Sequence, residues 1–344
     1  MTDNSKIAIV GAASLRGKEL AEALAESPFS SARVALLDEE SEAGRLEATG
    51  DEATLIQRID RGSFEHVDFA FFTGDQQITR QHWHEALFAG ASVIDLSYAL
   101  EAEQGVLVCA PLLVHAPQAI REGITLSTKA VIPAHAVSLA LALIMSRLEQ
   151  VGPMRSASAT VLEPASEYGR AAIDELHQQT VSLLNFHSLP KEVYDEQMAF
   201  NVVPSFGESK TTGQTEARIR RHYALIRGER MADLPIQVVH APVFHGVSLS
   251  IALEFDGPLT RDRLSSALAG EPIELVPDDA EPPNNLNSAG QANILVRPRP
   301  HNGSDRPTNH YWIWASFDNL KLSSLNAVAC AMELRRLRPK GKVQ

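Results

Sequence analysis

Residues 6–20 read KIAIVGAASLRGKEL. A short apolar run rich in β-branched residues ends at Gly11, and GKELAEALAES follows with apolar residues at helical spacing, so the chain opens strand, turn, helix. The pattern then repeats. ARVALLDEE and HVDFAFFTGD read as strands, QITRQHWHEALFAG as a helix ending at Gly90, and ASVIDLS and GVLVCAPLL as further strands. Strands and helices alternating at this spacing predict a parallel sheet covered on both faces, hence an α/β fold.

Beyond about residue 130 the texture changes. HAVSLALALIMSRLEQ is a long apolar helix, MRSASATVLEP an alternating strand, and GRAAIDELHQQTVSLLN another helix. IQVVHAPVFHGVSLSIALEFD reads as one long strand or two without a helix between, which predicts a mixed or mostly antiparallel sheet with helices on one face. EPPNNLNSAG and RPRPHNGSDRPTN read as surface loops, RIRRHYALIRGER as the solvated face of a helix, and NLKLSSLNAVACAMELRRL as a closing amphipathic helix with a basic end. At 344 residues the chain exceeds a typical single core, and two domains are expected.

A net charge of −12 with a pI near 5.5 argues against nucleic-acid partners and anionic membrane surfaces, both of which need clustered basic charge. No apolar run approaches the ~20 residues of a membrane span. The N-terminus lacks a signal-like segment, so a cytoplasmic location is expected. Cys109 and Cys330 are the only cysteines, too few for a disulfide framework or a thiolate metal site. His240 and His245 are five residues apart on an expected strand and would face opposite sides, so no metal is expected.

The first turn, GAASLRG, offers Gly11, Ala13, Ser14, Leu15 and Gly17 as candidate nucleotide contacts. A dinucleotide-binding turn usually carries a third glycine where Ser14 stands. The turn is thus either a phosphate cradle at a helix N-terminus or a tight βα turn that binds nothing. Asp38, Glu39, Glu40 and Glu42 crowd the end of the second strand. They would repel a 2′-phosphate, whereas a ribose diol would accept one acid. An exposed acidic loop without a ligand is the plainer alternative.

In their order along the chain, IAIVGAASLRGKEL, VDFAFFTGD, ASVIDLSYAL, VLVCAPLLV, AFNVVPSFGE, APVFHGVS and DNLKLSSLNAVACAMEL resemble the aspartate-semialdehyde dehydrogenase family over nearly the whole length. The resemblance implies a Rossmann-type NAD(P)-binding domain over 1–130 completed by 320–340, and an α+β dimerisation domain over 131–319. It also implies a reaction of amino-acid biosynthesis: reductive dephosphorylation of aspartyl phosphate by NADPH through a thioester on a cysteine.

The residues that chemistry needs are replaced. Ungapped reading puts Val131 of KAVIP in the cysteine's place, Glu163 in that of the turn's glutamine, and Val247 in that of the histidine. The two substrate-binding arginines correspond to Glu101 and His240, the first a reversal of charge. Neither Val131 nor the nearby Ser127, Thr128 and Lys129 supplies an activated nucleophile, and catalytic residues are not expected. The chain therefore resembles the USG-1-like, non-catalytic branch of the family. NADP or NAD is the cofactor the resemblance implies, and a homodimer the expected assembly, with hetero-association with an active relative as a further partner. The rival expectation is an oxidoreductase of altered substrate using His245, Glu163 or Lys129.

Overall fold

The computed structural model describes residues 5–49, 52–113, 124–125, 127–204, 211–228, 234–303 and 306–337. The chain divides into two compact units, one made of residues 1–112, 120–134 and 323–344, the other of 113–119 and 135–322. The boundary at 134/135 follows from the strand Ala130–Pro133 belonging to the first sheet.

The first unit contains β1 (Lys6–Val10), α1 (Leu15–Ala25), β2 (Arg33–Asp38), β3 (Leu46–Thr49), β4 (Glu52–Leu55), β5 (Gln57–Arg58), β6 (Phe69–Phe72), α2 (Gln76–Phe88), β7 (Ser92–Asp95), β8 (Leu107–Cys109) and β9 (Ala130–Pro133). Seven strands form a parallel sheet in the order β5-β2-β1-β6-β7-β9-β8, and β3 and β4 make a separate hairpin. Ile7 and Ile9 pack on one face with Leu20 and Leu24 of α1, while Ala8 and Val10 pack on the other with Trp83 and Ala86 of α2. Burial on both faces is why these strands read as continuous apolar runs. The chain passes from β1 outward to β2 and β5, then returns to β6 on β1's other side, so the order reverses between β1 and β6.

The second unit contains α3 (Ala136–Leu148), β10 (Met154–Glu163), α4 (Arg170–Leu184), α5 (Thr211–Arg227), β11 (Ile236–His240), β12 (Val247–Leu259), α6 (Arg261–Leu268), β13 (Ile273–Leu275), β14 (Ile294–Pro300) and β15 (Thr308–Phe317). A last helix, α7 (Asn319–Leu337), starts in this unit and ends in the first. Its six-stranded sheet runs β11-β10-β12-β15-β14-β13 and is mixed, with β10/β11 and β13/β14 parallel. α3 is apolar on every side and packs against α5 and α6.

Two expectations are corrected here. The basic run is not simply a solvated face: His222 and Tyr223 are buried, and Arg227 is buried in an ion pair with Glu149. Part of the expected loop RPRPHNGSDRPTN is strand, since Arg297–Pro300 belong to β14. Pro298 and Pro300 are tolerated because the nitrogens of alternate residues face the β13 side, where Val276 N–H reaches Val296 O, and β13 ends before either proline. No helix among the described residues is long and apolar enough to cross a membrane.

Candidate functional site

In an open parallel sheet the ligand crevice lies outside the carboxyl ends of the strands, at the point where strand order reverses. Here that point is the turn after β1 and its neighbour after β6. Gly11 has φ +84°, and a Cβ on it would stand 2.3 Å from Gly74 N. A Cβ on Gly17 would stand 2.5 Å from Gly11 O. Both glycines are therefore demanded by backbone packing. Ser14 sits at φ −67°, ψ 160°, ordinary for any L-residue, so the missing third glycine costs no strain. Its Oγ accepts Gly17 N–H at 3.0 Å, capping α1, and donates to Thr73 O at 3.1 Å. Leu15 opens α1 and is followed by Arg16, whose guanidinium lies 5.5 Å from the Tyr98 ring centre.

The four acids separate into two kinds. Glu39 and Glu40 are exposed, but Asp38 is only 5% exposed. One of its oxygens accepts Ala13 N–H and the other Glu39 N–H, both at 2.9 Å. At the end of β7, Asp95 accepts Ser97 N–H, Ser97 O–H and Leu100 N–H. Burial raises its pKa, the hydrogen bonds oppose that, and the nearby Glu101 raises it further. Glu101 thus adds negative charge to an already acidic turn.

Val131 is not in a turn. It lies within β9, fully buried with Ile94 and Leu96, and the residue at the start of the following helix is His135. The helix therefore opens at His135, as HAVSLALALIMSRLEQ reads, four residues beyond Val131. Ser127, Thr128 and Lys129 precede β9 and so lie at the amino end of a parallel strand, away from the edge where such sheets bind ligands. The Ser127 and Thr128 side chains both engage Thr125: Thr125 N–H donates to Thr128 Oγ1, and the Thr125 and Ser127 hydroxyls are 2.9 Å apart.

In the second unit the polar groups converge on the helix start and the end of β10. His135 caps α3, its Nδ1 accepting Val137 N–H at 3.3 Å. That places the ring proton on Nε2, which donates to Glu167 at 3.1 Å. The His135 backbone N–H donates to Nδ1 of His222 at 3.0 Å. Glu167 also accepts from Asn319, which in turn accepts from the Ser166 hydroxyl. Replacing His135 with alanine should lower stability by about 1 kcal/mol through loss of the cap, with His135→Asn retaining most of it. Equal thermal midpoints for the wild-type and alanine proteins would reject the capping role.

Glu163 and His240 are register partners on β10 and β11, both fully buried. The Tyr168 hydroxyl donates to the Glu163 carboxylate. The His240 ring lies 5.6 Å from that of Tyr168 and 5.3 Å from that of Tyr194. Burial, then the charges of Glu175 and Glu163, push the Tyr194 hydroxyl pKa well up. Val247 opens β12, buried opposite Phe317. His245 is in the turn between β11 and β12, so the two histidines do not share one strand.

Burial pushes the His240 pKa down to about 4 from 6.5, leaving the ring neutral near pH 7. A depressed pKa means the unfolded chain takes up the proton first. The neutral ring's contribution is therefore complete above about pH 6.5 and lost as pH falls toward 4, by up to about 3 kcal/mol. Unfolding midpoints followed from neutral pH into this window should fall less for His240→Phe than for the wild type. Parallel acid slopes would remove His240 from the account.

Sequence reasoning left His135, His222, Glu167, Tyr194 and Asn319 without roles. The clue was the polar residue opening the apolar stretch AHAVSLALAL, since a helix start needs an acceptor.

A parallel sheet with a glycine turn at its switch point, in a chain that also carries a mixed-sheet α+β unit, is the layout of two-domain nucleotide-dependent dehydrogenases. Sequence models of the semialdehyde dehydrogenase NAD-binding domain and dimerisation domain match residues 6–122 and 146–320, and the chain belongs to the semialdehyde dehydrogenase family. It is similar to a USG-1 protein homolog of Azotobacter vinelandii, 31% identical over 330 residues covering 94% of this chain and 96% of that protein. An aspartate-semialdehyde dehydrogenase of Rickettsia bellii is 25% identical over 352 residues, covering 97% and 98%. Among solved structures, a probable aspartate-semialdehyde dehydrogenase from Pseudomonas aeruginosa superposes with a TM-score of 0.81 at 28% identity, covering 96% of this chain and 98% of that one.

Proposed function

We propose that this chain is a non-catalytic relative of the aspartate-semialdehyde dehydrogenases, retaining fold and dimerisation and acting in the cytoplasm by binding or assembly. The observation that carries the reading is the lack of a usable thiol. The family reaction needs a thiolate twice, to attack the acyl phosphate and to form the adduct that yields hydride. Cys109 and Cys330 are the only cysteines, and both are buried in the core of the first unit. Burial pushes the Cys109 thiol up to about 12 and that of Cys330 well above its usual value. Val131, at the position matched to the family's cysteine, is a buried strand valine, and His135 at the helix start has both ring nitrogens engaged. Glu163, His240, Glu101 and Val247 at the other family positions support the same reading.

Purified protein given aspartate semialdehyde, phosphate and either NADP or NAD should produce no reduced nicotinamide above a blank. Sustained turnover would overturn the reading. The dimerisation-domain match supports a homodimer, with hetero-association with an active relative as a further mode, and light scattering reads the first directly. A second reading, an oxidoreductase of altered substrate, draws on the His135–Glu167 pair as an acid–base couple. Nicotinamide-dependent turnover of another aldehyde, abolished by His135→Phe, would favour it.

A further inference from the structure

We propose that the carboxyl edge of the first sheet is a dinucleotide site selective for NAD(H) over NADP(H), with Asp38 as the residue that sets the choice. The inference goes beyond the proposed function and does not depend on it, because a protein without turnover can still bind the dinucleotide.

The residues present fit the class of ligand. Gly11 and Gly74 bring the two turns at the switch point into backbone contact, so no side chain stands between them. Ser14 takes the Gly17 N–H, while Leu15 and Arg16 form the first positions of an eleven-residue helix, where the backbone and its dipole favour an anionic diphosphate.

Selectivity follows from how Asp38 is held. It is the last residue of β2, next to β1, and its carboxylate is tied to the phosphate turn through Ala13 N–H. Each carboxylate oxygen takes one backbone donor and keeps acceptor capacity for a ribose hydroxyl. A 2′-phosphate in the same place would bring a second negative charge against the first, in a setting where the exposed Glu39 adds more. The nearby cations do not offset this. Arg58, the register partner of Asp38 on β5, pairs with Glu40 at 3.0 Å, and Arg45 pairs with Glu42.

Calorimetric titration of the full-length protein with NADH and with NADPH tests the proposal. Wild-type protein should bind NADH at least about tenfold more tightly than NADPH, and the gap should shrink as salt is added, as it must if charge repulsion causes it. Asp38→Asn keeps an oxygen for Ala13 N–H while removing the charge, and Asp38→Ala removes both. In either variant the ratio should fall to within about threefold. Equal or tighter NADPH binding by the wild type, or no binding of either dinucleotide, overturns the site's assignment. An unchanged ratio in a folded variant overturns the role of Asp38. Should both variants misfold, the wild-type ratio and its salt dependence still decide.

Discussion

Replacing Glu175 with alanine is expected to destabilise the second unit by about 3 to 5 kcal/mol. Glu175 lies on α4, 5% exposed, and its carboxylate accepts the backbone N–H groups of Glu192, Val193 and Tyr194 at 2.8, 2.6 and 3.1 Å. Gln179, one turn later, donates to it and accepts the N–H groups of Met198 and Ala199. Two side chains of one helix thus organise a segment that has no regular structure of its own. Alanine would leave several amides without acceptors, and each buried orphan costs about 1 to 3 kcal/mol. The loss should spread, because this segment delivers Tyr194 to His240 and Met198 to the cluster with Ala172 and Leu176. Glu175→Gln, which retains acceptor oxygen, should recover part of the stability. Urea unfolding of both variants reads the difference, and an alanine protein within about 1 kcal/mol of wild type would contradict the scaffold role.

The second large effect belongs to Gly11→Ala. Two penalties coincide there. Positive φ costs an L-residue roughly 1 to 2 kcal/mol, and forcing a Cβ against Gly74 N at 2.3 Å adds an overpacking cost of about 1 to 3 kcal/mol. Relief would require β1 and β6 to separate at the switch point, which strains their parallel pairing. Because Gly11 sits in one of two units, a probe local to the first sheet follows its effect more directly than a midpoint for the whole chain. Amide exchange at Ile9, Val10, Phe71 and Phe72 is such a probe, and protection there should drop while that of β12 and β15 holds. Unaltered protection would show that the turn adapts cheaply. The same variant should also lose dinucleotide binding.

How much of this was legible in the sequence depended on whether a residue's role is local. The strand, turn and helix at the N-terminus are carried by Gly11 and by a change of apolar period, both visible in fifteen residues. The break between β11 and β12 was only half visible, since Pro242 and Gly246 punctuate an otherwise apolar run. The four acids after β2 look equivalent in sequence. Only Asp38 turns inward, because it is still in register with β5 while its neighbours have left the sheet. His135 was illegible for another reason. Histidine is not among the usual helix caps, and its partners Glu167 and His222 are 32 and 87 residues away. Tyr168 carries no local signal of its role, since its hydroxyl meets Glu163 through a contact that depends on the chain reversing within five residues.

The burial of both sulfur atoms has a practical use. Cys109 ends β8 and Cys330 lies on α7, both within the first unit, and neither is exposed at the surface. A small alkylating reagent can reach them only when that unit opens. Since the second unit holds no cysteine among its described residues, every labelled molecule records one opening event in the first. The protein thus carries a built-in clock: the alkylation rate measures how often the nucleotide-type half breathes, and any dinucleotide that binds there should slow it.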